Sequence, residues 1–161
     1  MKKEIRLNAF AMNCVAHQSP GLWTHPRDRT TEYNRLPYWT HLAQTLERGR
    51  FDGLFLADVL GVYDVYRGSP DAAIANAVQV PVNDPLLPIP AMAYVTCNLG
   101  FGVTCAVSYE HPYTLARRFS TLDHLTGGVH RPLSDPSTDL QVRCHGSERD
   151  GRDVPQPDIA C

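Results

Sequence analysis

Between residues 4 and 12, "EIRLNAFAM", apolar positions recur with a period of two. Ile5, Leu7, Ala9 and Ala11 fall on one face, Phe10 and Met12 on the other. Both faces are apolar after Arg6, which predicts a strand covered on both sides. In "NRLPYWTHLAQTLERGR" (34–50) the period changes. Trp39, Leu42, Ala43 and Leu46 form an i, i+3, i+4, i+7 stripe, so a helix is predicted, with Pro37 in its first turn and Gly49 at C′. "FDGLFLAD" (51–58) follows at once and reads as a short apolar strand ending in a carboxylate. After it, Asp84 and Pro85 look like an N-cap and N1 of a helix reaching Thr96, its first turns disturbed by Pro88 and Pro90. "LGFGVTCAVS" (99–108) is a third strand. In "HPYTLARRFSTLDHLTGG" (111–128), Leu115, Phe119 and Leu122 mark a third helix, ended by Gly127 and Gly128.

Three successive strand-then-helix units predict a parallel sheet. Long loops follow the first two strands, at 13–33 and 59–84, the second with a helical turn at "DAAIANAV". The connection after the first helix is very short. That asymmetry fits part of a (β/α)8 barrel, whose chemistry sits in the loops after the strands. A doubly wound sheet is the alternative, but no G-x-G-x-x-G turn follows the first strand.

The pattern stops after Gly128. All 14 aromatic residues lie at or before Phe119, and 129–161 carries four prolines with alternating Arg and Asp. Such a segment buries too little apolar surface to offset its ordering entropy. The expected organisation is therefore a patterned body, 1–128, and an unstructured tail, 129–161, in which "VHRPLSDPSTDLQVRC" supplies no strand.

Composition removes some function classes. A net charge of −2 with no basic block gives no reason to expect nucleic acid. The longest apolar run, "LLPIPAMAYV", is too short and too interrupted by proline to span a bilayer, and "MKKEIRLNAF" lacks the apolar core of a signal peptide. The five cysteines have neither CxxC nor zinc spacing. Their odd number in a core-forming chain suggests reduced thiols in a cytoplasm, with Cys97 and Cys105 as small buried hydrophobes.

Candidate chemistry is sparse. Asp58, ending the second strand at the expected mouth, either accepts hydrogen bonds from a ligand or caps the loop after it. Thr104 in the third strand, and Ser108 at its end, suit ordinary strand structure as well as ligand contact. His17 and His25 flank "QSPGLWT" in the first loop, and Tyr63 and Tyr66 either pack the second loop or wall a pocket. No H-x-H pair follows the first strand, so no barrel metal site is signalled. No nucleophile–base motif is present, and the residues alone do not specify a reaction.

Longer strings add what spacing cannot. "LNAFAMN", "YWTHLAQTLERGRFDGLFLADVLGVYDVY", "GSPDAAIANAVQVPVNDP" and "YEHPYTLARRFSTLDHLTGG" resemble the bacterial luciferase-like flavin monooxygenases. The resemblance is to the branch with nitrilotriacetate monooxygenase component A and dibenzothiophene-sulfone monooxygenase, and it runs from about Lys3 to Gly128. It implies a (β/α)8 barrel that binds reduced FMN, delivered by a separate flavin reductase, and uses O2 to oxidise a small organic substrate. It also implies cofactor-binding roles for Asp58, in "FLAD", and Thr104, in "GFGVT".

The departures from the family matter equally. After "LDHLTGG" the family continues with an Arg and a fourth strand, neither of which follows here. A full barrel needs roughly 250 residues, and this chain supplies three strands. The expectation is an N-terminal fragment, inactive alone, whose tail is a frameshift product; its DNA downstream of codon 128 is the check. A family-type homo-oligomer is not expected of such a fragment. A non-enzymatic truncated fragment, or a small ligand-binding α/β module, is the alternative.

Overall fold

The computed structural model describes residues 5–15, 21–106, 108–126, 130–133 and 139–144. Three strands, β1 (Asn8–Met12), β2 (Gly53–Ala57) and β3 (Gly100–Ala106), form a parallel sheet in chain order. Phe10 stands level with Phe55, and Phe55 with Gly102. Helix α1 (Leu36–Arg48) links β1 to β2. Two short helices, α2 (Asp71–Ala75) and α3 (Ile89–Tyr94), lie between β2 and β3, and α4 (Pro112–Leu125) follows β3.

The predicted stripes are the buried ones: Trp39, Ala43 and Leu46 on α1, and Leu115, Phe119 and Leu122 on α4. They meet Leu54 and Leu56 of β2 and Phe101, Val103 and Cys105 of β3 in one cluster, completed by Ile89 and Met92 of α3. Alternate strand residues point to opposite faces, so every helix in this cluster covers the same face. A doubly wound sheet puts helices on both faces, whereas a barrel puts them on one. The one-sided core therefore decides for the barrel fragment. Burying each large side chain of this layer contributes roughly 1.5–3 kcal/mol.

Proline shapes α3. Residues 85–88 form turns, and the regular helix starts only at Ile89, with Pro90 in its first turn. The expected helix from Pro85 is thus shortened, because Pro88 cannot donate and restricts the residue before it. At the end of α1, Gly49 is the C-cap with φ −75°, and Arg50 takes the left-handed φ of 59°. Gly49 is therefore not the C′ residue the sequence suggested.

The strands are locked at their N-terminal ends. Asp52 accepts from Leu7 N (2.8 Å) and pairs with Arg6 (2.9 Å). A Cβ on Gly53 would stand 2.7 Å from Asn8 Oδ1, so a larger residue there would have to displace the Asn8 side chain. Glu47 Oε1 accepts three backbone N–H groups, from Cys97 (2.8 Å), Asn98 (2.5 Å) and Leu99 (3.2 Å), and so fixes the entry to β3.

Three further expectations are corrected. The first strand begins at Asn8 rather than residue 4, and it is not covered on both sides: Phe10 is 51% exposed and Leu7 50%. Among the described residues β1 is an edge strand, with nothing beyond it. The tail is not strand-free. β4 (His130–Leu133) and β5 (Asp139–Cys144) form an antiparallel pair, and β5 runs antiparallel to β3, with Thr104 opposite Gln141. The open edge of β3 supplies unpaired backbone groups, and the alternation of Leu140, Val142 and Cys144 with Gln141 and Arg143 suits a strand. Finally, Cys14 and Cys105 are free and buried, but Cys97 is half-buried and disulfide-bonded. A pairing decided by spatial approach leaves no spacing signal.

Replacing Glu47 by Ala removes the acceptor of three backbone donors. We expect a loss of about 2–3 kcal/mol in denaturant unfolding, as for hydrogen bonds to a charged group, with Glu47→Gln recovering part of it.

Candidate functional site

Parallel strands of this kind present their chemistry at their C-terminal ends. Here those ends bring together Asn13 and Cys14 after β1, Asp58 after β2, and Cys105 in β3. Asp84, from the second loop, joins them. Asn13 Nδ2 donates to Asp84 O (2.9 Å), and Asn83 N donates to Asn13 O (2.8 Å). Asn13 thereby clips the loop after β1 to the loop after β2. It is 5% exposed, and its Oδ1 has no hydrogen-bond donor among the described residues.

Asp84 has two further bonds. Its Oδ1 accepts from Leu86 N (2.8 Å), the local turn expected of an aspartate before proline. Its Oδ2 pairs with Arg118 (2.5 Å), whose other terminal nitrogen pairs with Glu110. Arg118 thus ties α4 to the second loop. Glu110 Oε2 is buried without a donor among the described residues.

Burial raises the Asp58 carboxyl above its usual range, with Asp84 reinforcing and a backbone hydrogen bond from Val59 opposing. Burial likewise pushes the Cys14 thiol up to about 11, and Asp58 adds to it. Cys105 is pushed up to about 12, again by burial; Arg118 opposes, and Asp84, Glu110 and Asp58 add. Neither thiol is a poised nucleophile at neutral pH, since thiolate is the reactive form.

Thr104 is half-buried on the opposite face of the sheet from Val103 and Cys105, in the row of Gly102 and Ala106. On that face Phe10 and Phe55 lie 5.3 Å apart between ring centroids. Asp58 follows Ala57 and so continues the Leu54–Leu56 row at the point where the chain leaves the pleat. The two sequence candidates therefore share one end of the sheet but not one row. His17 and Ser108 differ in standing: His17 lies outside the described residues, and Ser108 is exposed. His25 Nδ1 accepts from Arg27 N (3.2 Å), a local turn contact. Tyr63 and Tyr66 are pocket wall rather than packing. With Gly21, Ala73, Asn76 and Val78 they line a cleft of about 510 Å³ between the two long loops.

Asn13, Glu110 and Arg118 escaped sequence reasoning. Arg118 had a signal: it occupies the i+3 position of the stripe Leu115, Phe119, Leu122, where a cation needs a carboxylate partner. Asn13 had none, because its partners lie some 70 residues away.

Residues 10–128 match the family of luciferase-like monooxygenases. The chain belongs to that family. It is 62% identical over 157 residues to the long-chain alkane monooxygenase of Geobacillus thermodenitrificans (strain NG80-2), covering 92% of this chain and 36% of that protein. It is 63% identical over 128 residues to the dimethyl-sulfide monooxygenase of Hyphomicrobium sulfonivorans, 80% of this chain and 27% of that one. Nitrilotriacetate monooxygenase component A of Aminobacter aminovorans is 35% identical over 112 residues, 67% of this chain and 24% of that one. Among solved structures, a long-chain alkane monooxygenase superposes with a TM-score of 0.75 at 63% identity, over 78% of this chain and 29% of that one. A riboflavin lyase solved with modified FMN and riboflavin superposes with 0.71 at 32% identity, over 78% and 28%. The chain thus spans about a quarter to a third of the relatives it matches, and it forms the N-terminal part of their barrel.

Two outcomes follow from the burial. Because both thiols titrate above their usual 9.0, they favour folding while protonated, and that contribution is lost as pH rises from about 9 through about 11 and 12. Iodoacetamide should therefore leave Cys14 and Cys105 unmodified at pH 8, and the unfolding midpoint should fall above pH 9. For Asp58 the folded carboxyl titrates above 3.8, so its favourable contribution is complete below that value and lost as pH rises through the folded one. Asp58→Asn should raise the unfolding midpoint at pH 7 and leave it little changed at low pH.

Proposed function

We propose that this chain is the N-terminal part of a two-component monooxygenase that uses reduced FMN and O2 to oxidise a small organic substrate, with a separate flavin reductase delivering the flavin. The observation that carries this reading is the match of residues 10–128 to the family, at 62–63% identity to two monooxygenases. A cytoplasmic location belongs to the same reading; among the described residues no helix is long and apolar enough to cross a membrane.

The residues present fit the ring of a flavin. Asn13 Oδ1 is a buried acceptor without a donor, and ring N–H groups are donors. The face carrying Thr104 is floored by Gly102 and Ala106 beside the Phe10–Phe55 pair, which suits a flat apolar surface. In this reading Asp58 and Thr104 contact the flavin, as the family strings imply, and Asn13 holds the two loops that flank it. When bound, the flavin supplies the redox chemistry with O2; the protein orients it and excludes water. Arg118 is already held by Asp84 and Glu110, so it is not assigned to the phosphate. Phosphate binding is assigned to the part of the barrel beyond this chain, so the chain alone binds FMN weakly and does not turn over.

The tail, 129–161, stays a separate segment in this reading. The 92% match to the Geobacillus relative weighs against its being wholly unrelated, and its nucleotide sequence in all three frames tests the frameshift idea.

Titration of the chain with FMN, followed by tryptophan fluorescence, tests the site. Weak binding that Asp58→Asn and Thr104→Val each weaken by roughly tenfold is expected, the loss of one hydrogen bond apiece. No response to FMN or FMNH2 would instead favour a ligand-binding α/β module unrelated to flavin. Tight binding with turnover, given a reductase and O2, would overturn the inactive-fragment reading.

A further inference from the structure

One guanidinium serves two of the three carboxylates near the C-terminal ends of the strands. Arg118 Nη2 pairs with Asp84 Oδ2 at 2.5 Å, and its Nη1 pairs with Glu110 Oε1. Asp58, the third, has no ion pair among the described residues, and its carboxylate accepts a backbone hydrogen bond from Val59. All four groups act on the buried Cys105 thiol, which gathers them around one point in β3. Arg118 stands on α4, whereas Asn13 and Asp58 stand in the loops that leave β1 and β2. Asp84 links the two sides. Arg118 and Leu86 N (2.8 Å) hold its side chain, and its backbone carbonyl accepts from Asn13 Nδ2 (2.9 Å).

A planar guanidinium fixes two acceptors at once in a set geometry, which a point charge on a flexible stem does not. An Asp84 anchored in this way keeps in place the carbonyl that receives Asn13. The Arg118 charge also offsets negative charge that Asp84 and Glu110 bring to the cluster. All three side chains are about a third exposed, so solvent screens them only in part.

We propose that Arg118 is a positioning residue for the site at the strand ends: through Asp84 it fixes the Asn13 side chain, and through its charge it favours the ionised form of Asp58. The inference rests on the functional reading in one respect alone, that Asn13 and Asp58 are groups a ligand meets. The groups around Asp58 fit the second part. Cys14 after β1 and Cys105 in β3 stay protonated at neutral pH, Asp84 opposes ionisation of Asp58, Glu110 adds negative charge from before α4, and Arg118 supplies the positive charge. A strap that only bound α4 to the second loop would alter stability without setting the charge of Asp58.

The test compares Arg118→Met, which removes the charge, with Arg118→Lys, which keeps the charge and loses the fork, in the full chain without ligand. Hydrogen exchange of the Asn13 side-chain amide follows the first part, and an NMR titration of the Asp58 carboxyl follows the second. The Trp39 indole N–H, bonded to Tyr33 O at 2.6 Å, reports on the core as a whole. Arg118→Met should speed Asn13 exchange by roughly tenfold or more relative to Trp39, about the effect of losing one hydrogen bond. It should also move the Asp58 midpoint up, because removing a cation disfavours a carboxylate. Arg118→Lys should hold the Asp58 midpoint near the parent's and speed Asn13 exchange by less. Arg117→Met, at an exposed neighbouring position, should change neither. Asp84→Asn keeps the carbonyl that Asn13 uses and removes the charge beside Asp58, so it should move the Asp58 midpoint down. Opposite shifts from Arg118→Met and Asp84→Asn are not the result of a general loss of packing. Asn13 exchange that rises only in step with Trp39 overturns the proposal. So does an Asp58 midpoint that Arg118→Met leaves in place, or, where that variant does not fold, one that Asp84→Asn leaves in place. Neither readout uses flavin, so this proposal and the functional one fail separately.

Discussion

The structure depends on one-sided burial of a parallel sheet. Leu54 and Leu56 of β2 and Phe101, Val103 and Cys105 of β3 face the stripes of α1 and α4 and the short α3. That layer is the core, and it holds β2 and β3 in register. On the opposite face Phe10 packs at a tilt against Phe55, and among the described residues the helices of the core cluster do not cover it. A sheet buried on one face, with β1 at its edge among the described residues, is one part of a barrel wall. The helices that make the core leave the inner face to other elements, which in a closed barrel are the facing strands.

Function and stability separate along the strands. The N-terminal ends carry locks: Asp52 on Leu7, Gly53 against Asn8, Glu47 beneath the entry to β3. The C-terminal ends carry polar groups that cost stability. Asp58 is a half-buried carboxylate beside Asp84, and Asn13 Oδ1 has no donor among the described residues. These are the groups that the proposed flavin site draws on, at the strand ends where barrels of this kind carry their chemistry. The Arg118 pair with Asp84 and Glu110 holds the second loop close enough for Asn13 to bridge it.

Much of this was readable along the chain. The stripe Trp39, Ala43, Leu46 and the stripe Leu115, Phe119, Leu122 specified α1 and α4, because a helix with one apolar face has one way to bury it. "FLAD" placed Asp58 just past the end of β2, and the family strings named the barrel. Where the reading failed, a non-local term won. The first strand was read as covered because its own pattern is apolar on both sides, yet coverage depends on a neighbour the sequence pattern cannot supply. The tail was read as strandless from its prolines and missing aromatics, yet an open edge at β3 offers pairing to an ordinary alternating segment.

What the sequence determined by itself is thus local and ancestral: the period of each element, the short turn from α1 to β2, the carboxylate after β2 and the family. What only the tertiary structure decided is everything that needs two distant segments at once. It set the helices on a single face and separated Thr104 from the Asp58 row. It joined Asn13 to Asp84 across 71 positions, formed the disulfide at Cys97, and among the described residues left β1 as an edge. The physical reason is common to all of these. A residue's period and type are carried by the chain, but burial, pairing and charge compensation are properties of what the folded chain brings beside it.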